Sequence, residues 1–283
     1  MFSKSVTQQP LLLSLVLLSL VSCEKTDAIE KTADLPSIQD VPEVALKKLS
    51  TKKIYFGHQS VGNDILDGVV KITAKEALPP IRIVESDNPE VFDQAVWAHS
   101  PIGVNGDPFS KIKAFKDNIQ KGIGDKADMA FVKFCFWDIR SFTDIDRVFR
   151  NYKDTIDGLK REFPKVTFVH FTVPLMSHST SLTAKIRRML GRKIGFDEDN
   201  IKRNELNKLI LNEYAGKEPV VDIALYESTL PDGTRTSFTK GTGRYYYLAS
   251  AYTDDGGHLN AEARIRAAEQ VLIKLARVAD GMP

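Results

Sequence analysis

The stretch Ile54-Tyr55-Phe56-Gly57-His58-Gln59-Ser60-Val61-Gly62 decides the fold, and it reads as strand, tight turn, serine and helix. Ile54, Tyr55 and Phe56 form a short apolar run of β-favouring side chains. Gly57 lacks the Cβ that forbids most turn conformations, so the sharp exit from the strand is expected there. Beyond it, Val61, Ile65, Leu66, Val69, Val70 and Ile72 recur at helical spacing, which predicts a helix over 60–76 with Ser60 at its mouth. A serine in that place has two uses. Its oxygen can cap the helix by accepting from a free N–H. It can also be a nucleophile, because the free N–H groups and partial positive charge of a helix start stabilise an oxyanion formed beside it. Taken alone, the stretch favours the cap.

Outward from this stretch, strand and helix patterns alternate. Strands are expected at 53–57, 81–86, 128–136, 165–173 and 219–225, and helices at 60–76, 108–121, 144–163, 201–215 and 260–279. That alternation predicts an α/β fold, a three-layer α/β/α sandwich around a central, mostly parallel five-stranded sheet. The run from Val166 to Val173 is nearly continuous in apolar and β-branched residues, as a buried central strand should be. Sites in such sheets form outside the carboxyl ends of the strands. Ser60 follows the first strand, Gly106 the second, Trp137 and Asp138 the third, and His258 the fifth, so all are expected on one edge.

Near the other end of the chain, Thr253-Asp254-Asp255-Gly256-Gly257-His258-Leu259-Asn260 precedes the last amphipathic helix. An Asp and a His three apart on a turn can converge, the carboxylate holding the imidazole tautomer for a serine elsewhere. With both blocks in view, the chain resembles the SGNH/GDSL hydrolase superfamily over roughly residues 50–280. Gly57-His58-Gln59-Ser60 stands where that family has its Gly-Asp-Ser block, and Asp255-x-x-His258 stands where it has its Asp-x-x-His block.

The resemblance implies an SGNH/flavodoxin-like sandwich and two-step acyl transfer. Ser60 would be the nucleophile, His258 the base and then the acid, and Asp255 the group that orients His258, with Asp254 as its competitor. Asn260 is expected to cap the last helix. Oxyanion donors would be the Ser60 N–H and a glycine after the second strand, Gly106, with Gly103 as the alternative. The family's third donor is an asparagine after the third strand. Here Phe136-Trp137-Asp138 stands there, and a carboxylate at Asp138 cannot donate and would repel an oxyanion. Losing one donor costs about 10²–10³ in rate, so either Asn105 or another group substitutes, or the chain is slow or specialised. His58 and Gln59 replace the Asp beside the serine, and His58 is expected to be structural and near the site. His99, His170 and His178 have no metal-ligand spacing, and this chemistry calls for neither metal nor cofactor.

Composition sets the remaining bounds. The chain has 283 residues, 42% of them hydrophobic, and a formal net charge of +2, which suits one sizeable domain and argues against nucleic acid as a partner. Residues 1–22 read as a lipoprotein signal peptide: Lys4 precedes a leucine-rich run from Leu11 to Leu20 that is too short to span a membrane, and Leu20-Val21-Ser22-Cys23 resembles a bacterial lipobox. Cys23 is therefore the expected lipidation site, residues 23–46 a flexible tether, and 47–283 the hydrolase-like domain, held at the bacterial cell envelope on the outer membrane or periplasmic face. Cys135 remains as the other cysteine, so no internal disulfide is expected, and its apolar surroundings make it a buried residue rather than a nucleophile.

Two longer segments stand apart. Residues 175–200 carry Lys185, Arg187, Arg188, Arg192 and Lys193, read as a solvated helix face. Residues 226–250 pass through a turn at Pro231-Asp232-Gly233-Thr234 to Tyr245-Tyr246-Tyr247, read as a hairpin edge rather than a sugar-stacking surface.

The resulting expectation is an exported, lipid-anchored serine esterase. Its substrate would be an acyl ester, with an O-acetyl group on a polysaccharide as the leading candidate by family analogy. The alternatives are a catalytically weak or inactive SGNH-fold protein that binds glycan or acts as a scaffold, and an acyltransferase, which would share the acyl-enzyme.

Overall fold

The computed structural model describes residues 35–76, 78–179, 182–190 and 195–282. The signal segment 1–22, Cys23, Arg192 and Lys193 lie outside the described residues, and so do the side chains of Lys185, Arg187 and Arg188.

Strand β1 (Lys53–His58) is the middle of a five-stranded sheet with β2 (Ile83–Glu85), β3 (Val96–Pro101), β4 (Met129–Val132) and β5 (Thr167–Phe168). The order is β2-β3-β1-β4-β5, and every neighbouring pair is parallel. β6 (His170–Phe171) follows β5 after one residue and pairs in parallel with β7 (Val220–Val221). The Val169 N–H between them still donates to Ala130, so the predicted run 165–173 does lie inside, between β4 and β7.

Alternation along β1 assigns the two faces. Ile54 and Phe56 pack with Val61, Ile65 and Val69 of α2 (Val61–Lys75) and with Ala268, Val271 and Leu272 of α8 (Ala261–Ala279). Tyr55 points the other way, into a core shared with Phe115 of α3 (Pro108–Asn118), Tyr152 and Ile156 of α4 (Ile145–Glu162), and Leu206 and Ile210 of α6 (Gly195–Tyr214). The result is a three-layer α/β/α sandwich with a core on each side of the sheet. Full burial of each large side chain in these stripes stabilises the fold by about 1.5–3 kcal/mol. Val70, expected in the inward stripe of α2, is instead 54% exposed.

Several expectations need correction. β3 was not foreseen: Gly106 follows this strand and not the one at 81–86, and β3 lies next to β1. The strand expected over 128–136 stops at Val132, and that over 219–225 gives way to α7 (Ile223–Ser228). Gly57 is not the turn but the fifth residue of β1; a Cβ there would stand 2.8 Å from Ile102 and 3.3 Å from Phe115, so its bareness serves packing.

Part of the expected tether, 23–46, is folded onto the domain. Ile38, Val41, Ala45, Leu46 and Leu49 are buried, the last three on α1 (Glu43–Ser50). The Ile38 N–H donates to Glu269 at 2.8 Å, and the Gln270 amide donates to the Pro36 carbonyl at 2.7 Å. Residues 36–50 are thus docked on the core. Among the described residues no helix is long and apolar enough to cross a membrane.

Candidate active site

The turn after β1 carries the chain's unusual backbone. Ser60 has φ 54° and ψ −113°, and it is the non-glycine residue with positive φ among those described. Such a conformation costs of order 1–3 kcal/mol and persists where its surroundings over-determine it. Here they do. The Gln59 amide donates to the Ile102 and Gly103 carbonyls at 2.8 and 2.7 Å, and the Gly62 N–H closes back onto Gln59 at 3.2 Å. The His58 ring fills the space where a Gly62 side chain would begin: a Cβ there would sit 2.2 Å from Nδ1.

Although Ser60 occupies the N-cap position of α2, its side chain makes no capping bond. Its Oγ lies 2.6 Å from His258 Nε2, and His258 Nδ1 lies 2.6 Å from Asp255 Oδ2. Asp255 Oδ1 also accepts from the His258 and Gly257 N–H groups, at 2.8 and 2.9 Å. The hydrogen bond from the His258 side chain, helped by these backbone donors, holds the Asp255 carboxyl well below the usual carboxylate range. An ionised Asp255 can only accept, so Nδ1 carries the proton and Nε2 is left to accept from Ser60 Oγ. Asp255, not its neighbour Asp254, holds the ring. Both partners are open to solvent, His258 at 47% and Asp255 at 57% side-chain exposure.

A strut missed in the sequence ties the two ends of this relay together. Asp64, one turn into α2 and buried, accepts from the Leu259 N–H at 3.1 Å and from Arg264 Nη2 at 2.9 Å. Arg264 in turn donates to the Leu259 carbonyl and to Asp67. The helix that begins at Ser60 is thereby bonded to the residue after His258. An acid on the buried side of an apolar stripe was the available signal, because such a group survives only when paired.

The expected oxyanion donors fare differently. The Gly106 N–H is not free: it donates to Asp138 Oδ1 at 2.8 Å. Gly103 is a packing glycine, its would-be Cβ 2.6 Å from the Lys111 backbone nitrogen. Asp138 does not confront Ser60 as an uncompensated charge. It is buried under the loop and accepts from Gly106, from the Cys135 N–H at 2.6 Å and from Lys111 Nζ at 2.7 Å. Lys111, also missed in the sequence, is fully buried and donates as well to Asn105 Oδ1 at 2.8 Å. Its signal was a lysine adjacent to Ile112 on the inward face of α3.

His58 is buried beside the turn with Nε2 3.0 Å from His99 Nδ1, and burial pushes its pKa down to about 2, so it is a neutral packing group. His170 is likewise engaged, with the Tyr152 hydroxyl and Glu218. Among the described residues no cluster of His, Cys, Asp or Glu could hold a metal.

Ser60, His258 and Asn105 open onto a cleft of about 310 Å³ whose walls are Phe136, Trp137, Met176 and Phe196, with buried Cys135 also lining it. The Arg140 guanidinium covers the Trp137 ring at 4.4 Å. A larger cavity, about 590 Å³, lies elsewhere, between α6 and the hairpin of β8 (Ser237–Lys240) and β9 (Gly243–Tyr246). Tyr245 and Tyr246 line that cavity and not the cleft, and it contains neither serine nor histidine. The smaller cleft is therefore the one that brings Ser60 and His258 together with apolar walls.

No protein-family model matches the chain, and no curated protein matches it. Solved structures similar to it include a protein from Streptococcus pneumonia described as a platelet activating factor, with 13% identity, 83% of this chain and 92% of that one covered, and a TM-score of 0.45. Another, from Parabacteroides merdae, is described as a GDSL-like lipase, with 10% identity, 83% and 99% coverage, and a TM-score of 0.42. A third is an acetyl xylan esterase, with 14% identity, 77% and 97% coverage, and a TM-score of 0.41.

Proposed function

We propose that the chain is a serine esterase, a divergent member of the SGNH/GDSL hydrolases that cleaves short acyl esters by an acyl-enzyme route. The observation that carries this reading is the relay Ser60 Oγ–His258 Nε2–His258 Nδ1–Asp255, with both links at 2.6 Å, built on a strained serine that caps nothing. His258 Nε2 takes the Ser60 proton as Oγ attacks the ester carbonyl. The tetrahedral intermediate then collapses, and His258 hands that proton to the departing alkoxide, releasing an alcohol. Water, deprotonated by the same nitrogen, attacks the acyl-Ser60, and Ser60 recovers its proton as the acid leaves.

The size and openness of the cleft support a short acyl group on a bulky, hydrated carrier, for which an O-acetylated polysaccharide is the proposed class. Lipidation at Cys23 would hold the enzyme at the cell envelope; Cys23→Ser should then release the protein from the membrane fraction and abolish palmitate labelling, and retention at the wild-type level would remove the anchor from this reading.

The test of the reaction is direct. Purified protein should hydrolyse p-nitrophenyl acetate, and a serine-directed fluorophosphonate should label Ser60 and no other serine. Wild-type protein that is folded, unlabelled at Ser60 and without turnover on short-chain esters or acetylated glycans would favour the glycan-binding alternative, which the sequestered Gly106 amide also supports.

A further inference from the structure

We infer that Asn105 supplies the side-chain donor to the oxyanion, and that buried Lys111, clamped by Asp138, is the positioning residue that aims it. This rests on the esterase reading above and assigns a part of that site which the reading leaves open. With the Gly106 N–H spent on Asp138, the Ser60 N–H needs a partner, since one donor alone stabilises a tetrahedral intermediate poorly.

The orientation of Asn105 follows from the chemistry of lysine. An ammonium has three donors and no acceptor, so the Asn105 atom 2.8 Å from Lys111 Nζ must be the carbonyl oxygen. The amide nitrogen therefore points the opposite way. Asn105 is exposed and lines the cleft with Ser60, and among the described residues its Nδ2 has no hydrogen-bond partner in the protein. A cation on the carbonyl also draws density from the nitrogen, which makes the N–H groups better donors.

Lys111 cannot choose another geometry. It is wholly buried, and Asp138 fixes it at 2.7 Å. Asp138 is itself held by the Gly106 and Cys135 N–H groups, one from the loop after β3 and one from the loop after β4. A buried ion pair of this kind returns little net stability, and an apolar pair of similar volume often serves the core as well. Its location directly beneath an amide that lines the same cleft as Ser60 gives it a use in aiming that amide.

The test uses the purified protein with p-nitrophenyl acetate. Asn105→Asp keeps the oxygen that Lys111 needs and the side-chain shape, but replaces the donor by an acceptor. Its kcat should fall about 10²–10³-fold with KM within threefold of wild type and unchanged melting. Affinity for a boronic acid that forms a tetrahedral adduct on Ser60 should fall in parallel, a readout that a merely structural role would leave alone. Lys111→Met combined with Asp138→Asn removes both buried charges together and should lower kcat at constant KM in folded protein; wild-type kcat in that folded pair overturns the role of Lys111. Asn105→Asp decides the donor whatever the Lys111 variants do: a kcat within threefold of wild type, or a loss confined to KM, overturns the assignment. Wild type that neither turns over nor labels at Ser60 overturns the esterase reading and this inference with it, whereas an active, labelled wild type beside an active Asn105→Asp overturns this inference alone.

Discussion

Two groups of polar side chains stand a loop apart and are built in opposite ways. Ser60, His258 and Asp255 sit on the rim, with the last two about half exposed. Lys111 and Asp138 sit beneath the neighbouring loop with no exposure at all. The rim group keeps its geometry locally: Asp255 and His258 share one turn, and the same carboxylate binds that turn's N–H groups. The buried group spans α3 and the loops after β3 and β4, and it tolerates burial because each charge has a partner. On the proposed reaction, the rim group must meet substrate and water and is presented, whereas the pair proposed to aim the Asn105 amide must not wander and is enclosed.

The largest expected effect breaks the rim. Ser60→Ala and His258→Ala should each lower kcat on the order of 10⁴-fold or more, with the double variant little worse than either, because such residues act as a unit. Asp255→Ala should cost less, since Asp255 orients and does not transfer the proton, and Asp254→Ala should be mild. Additive losses in p-nitrophenyl acetate kinetics would break the claim that the three form one relay.

A smaller effect is expected between rim and interior. Asp64→Ala removes the acceptor that joins α2 to Leu259 and leaves Arg264 with one carboxylate. Chemical denaturation should show a loss of about 2–3 kcal/mol, accompanied by a lower kcat as the His258 turn loosens. Full activity in a destabilised Asp64→Ala would mean that the turn holds itself.

Ser60→Gly sharpens the comparison from the backbone side. Glycine accepts φ 54° without penalty, so this variant should be inactive yet more stable than Ser60→Ala by about 1–2 kcal/mol in thermal unfolding. Equal stabilities would mean that the turn stores no strain.

The smallest effect is a pH slope. Burial pushes the Glu227 carboxyl up to about 8, so the folded state keeps a proton that the unfolded chain releases above its ordinary 4.5. That contribution is full below pH 4.5 and is lost as pH rises towards 8. His58, neutral when folded, acts with the opposite sign and only below its ordinary 6.5. Between pH 6.5 and 8, above the range in which His58 acts, Glu227 should contribute a slope of no more than about 1.4 kcal/mol per pH unit, opposed by buried Lys133, whose pKa burial pushes down. Glu227→Gln should flatten it in denaturation curves across that window; an unchanged slope would place the proton elsewhere.

Much of the frame was legible because it is periodic. The apolar run 54–56, the stripe of α2 and the Asp255-x-x-His258 spacing each depend on residues close in the chain, and they led to the sheet, the helix and the pair of converging blocks. β3 was not legible: Val96-Trp97-Ala98-His99-Ser100-Pro101 mixes polar residues into its carboxyl end, where His99 meets His58 and Ser100 meets the Tyr55 hydroxyl. Its burial depends on partners 41 and 45 residues away. The docking of 36–50 on α8 was hidden for a similar reason, since Ile38 and Val41 look sparse until the face they cover is known.

What the amino-acid sequence determined alone was therefore the α/β alternation, the serine at the mouth of α2 and the acid–histidine turn before α8. Only the tertiary structure decided that Ser60 bonds to His258 and caps nothing, that Gly106 is spent on Asp138, and that Asn105 faces the cleft above Lys111. Hydrogen-bond valence is shared among side chains far apart in the chain, and which donor remains free is known only once every neighbour is in place.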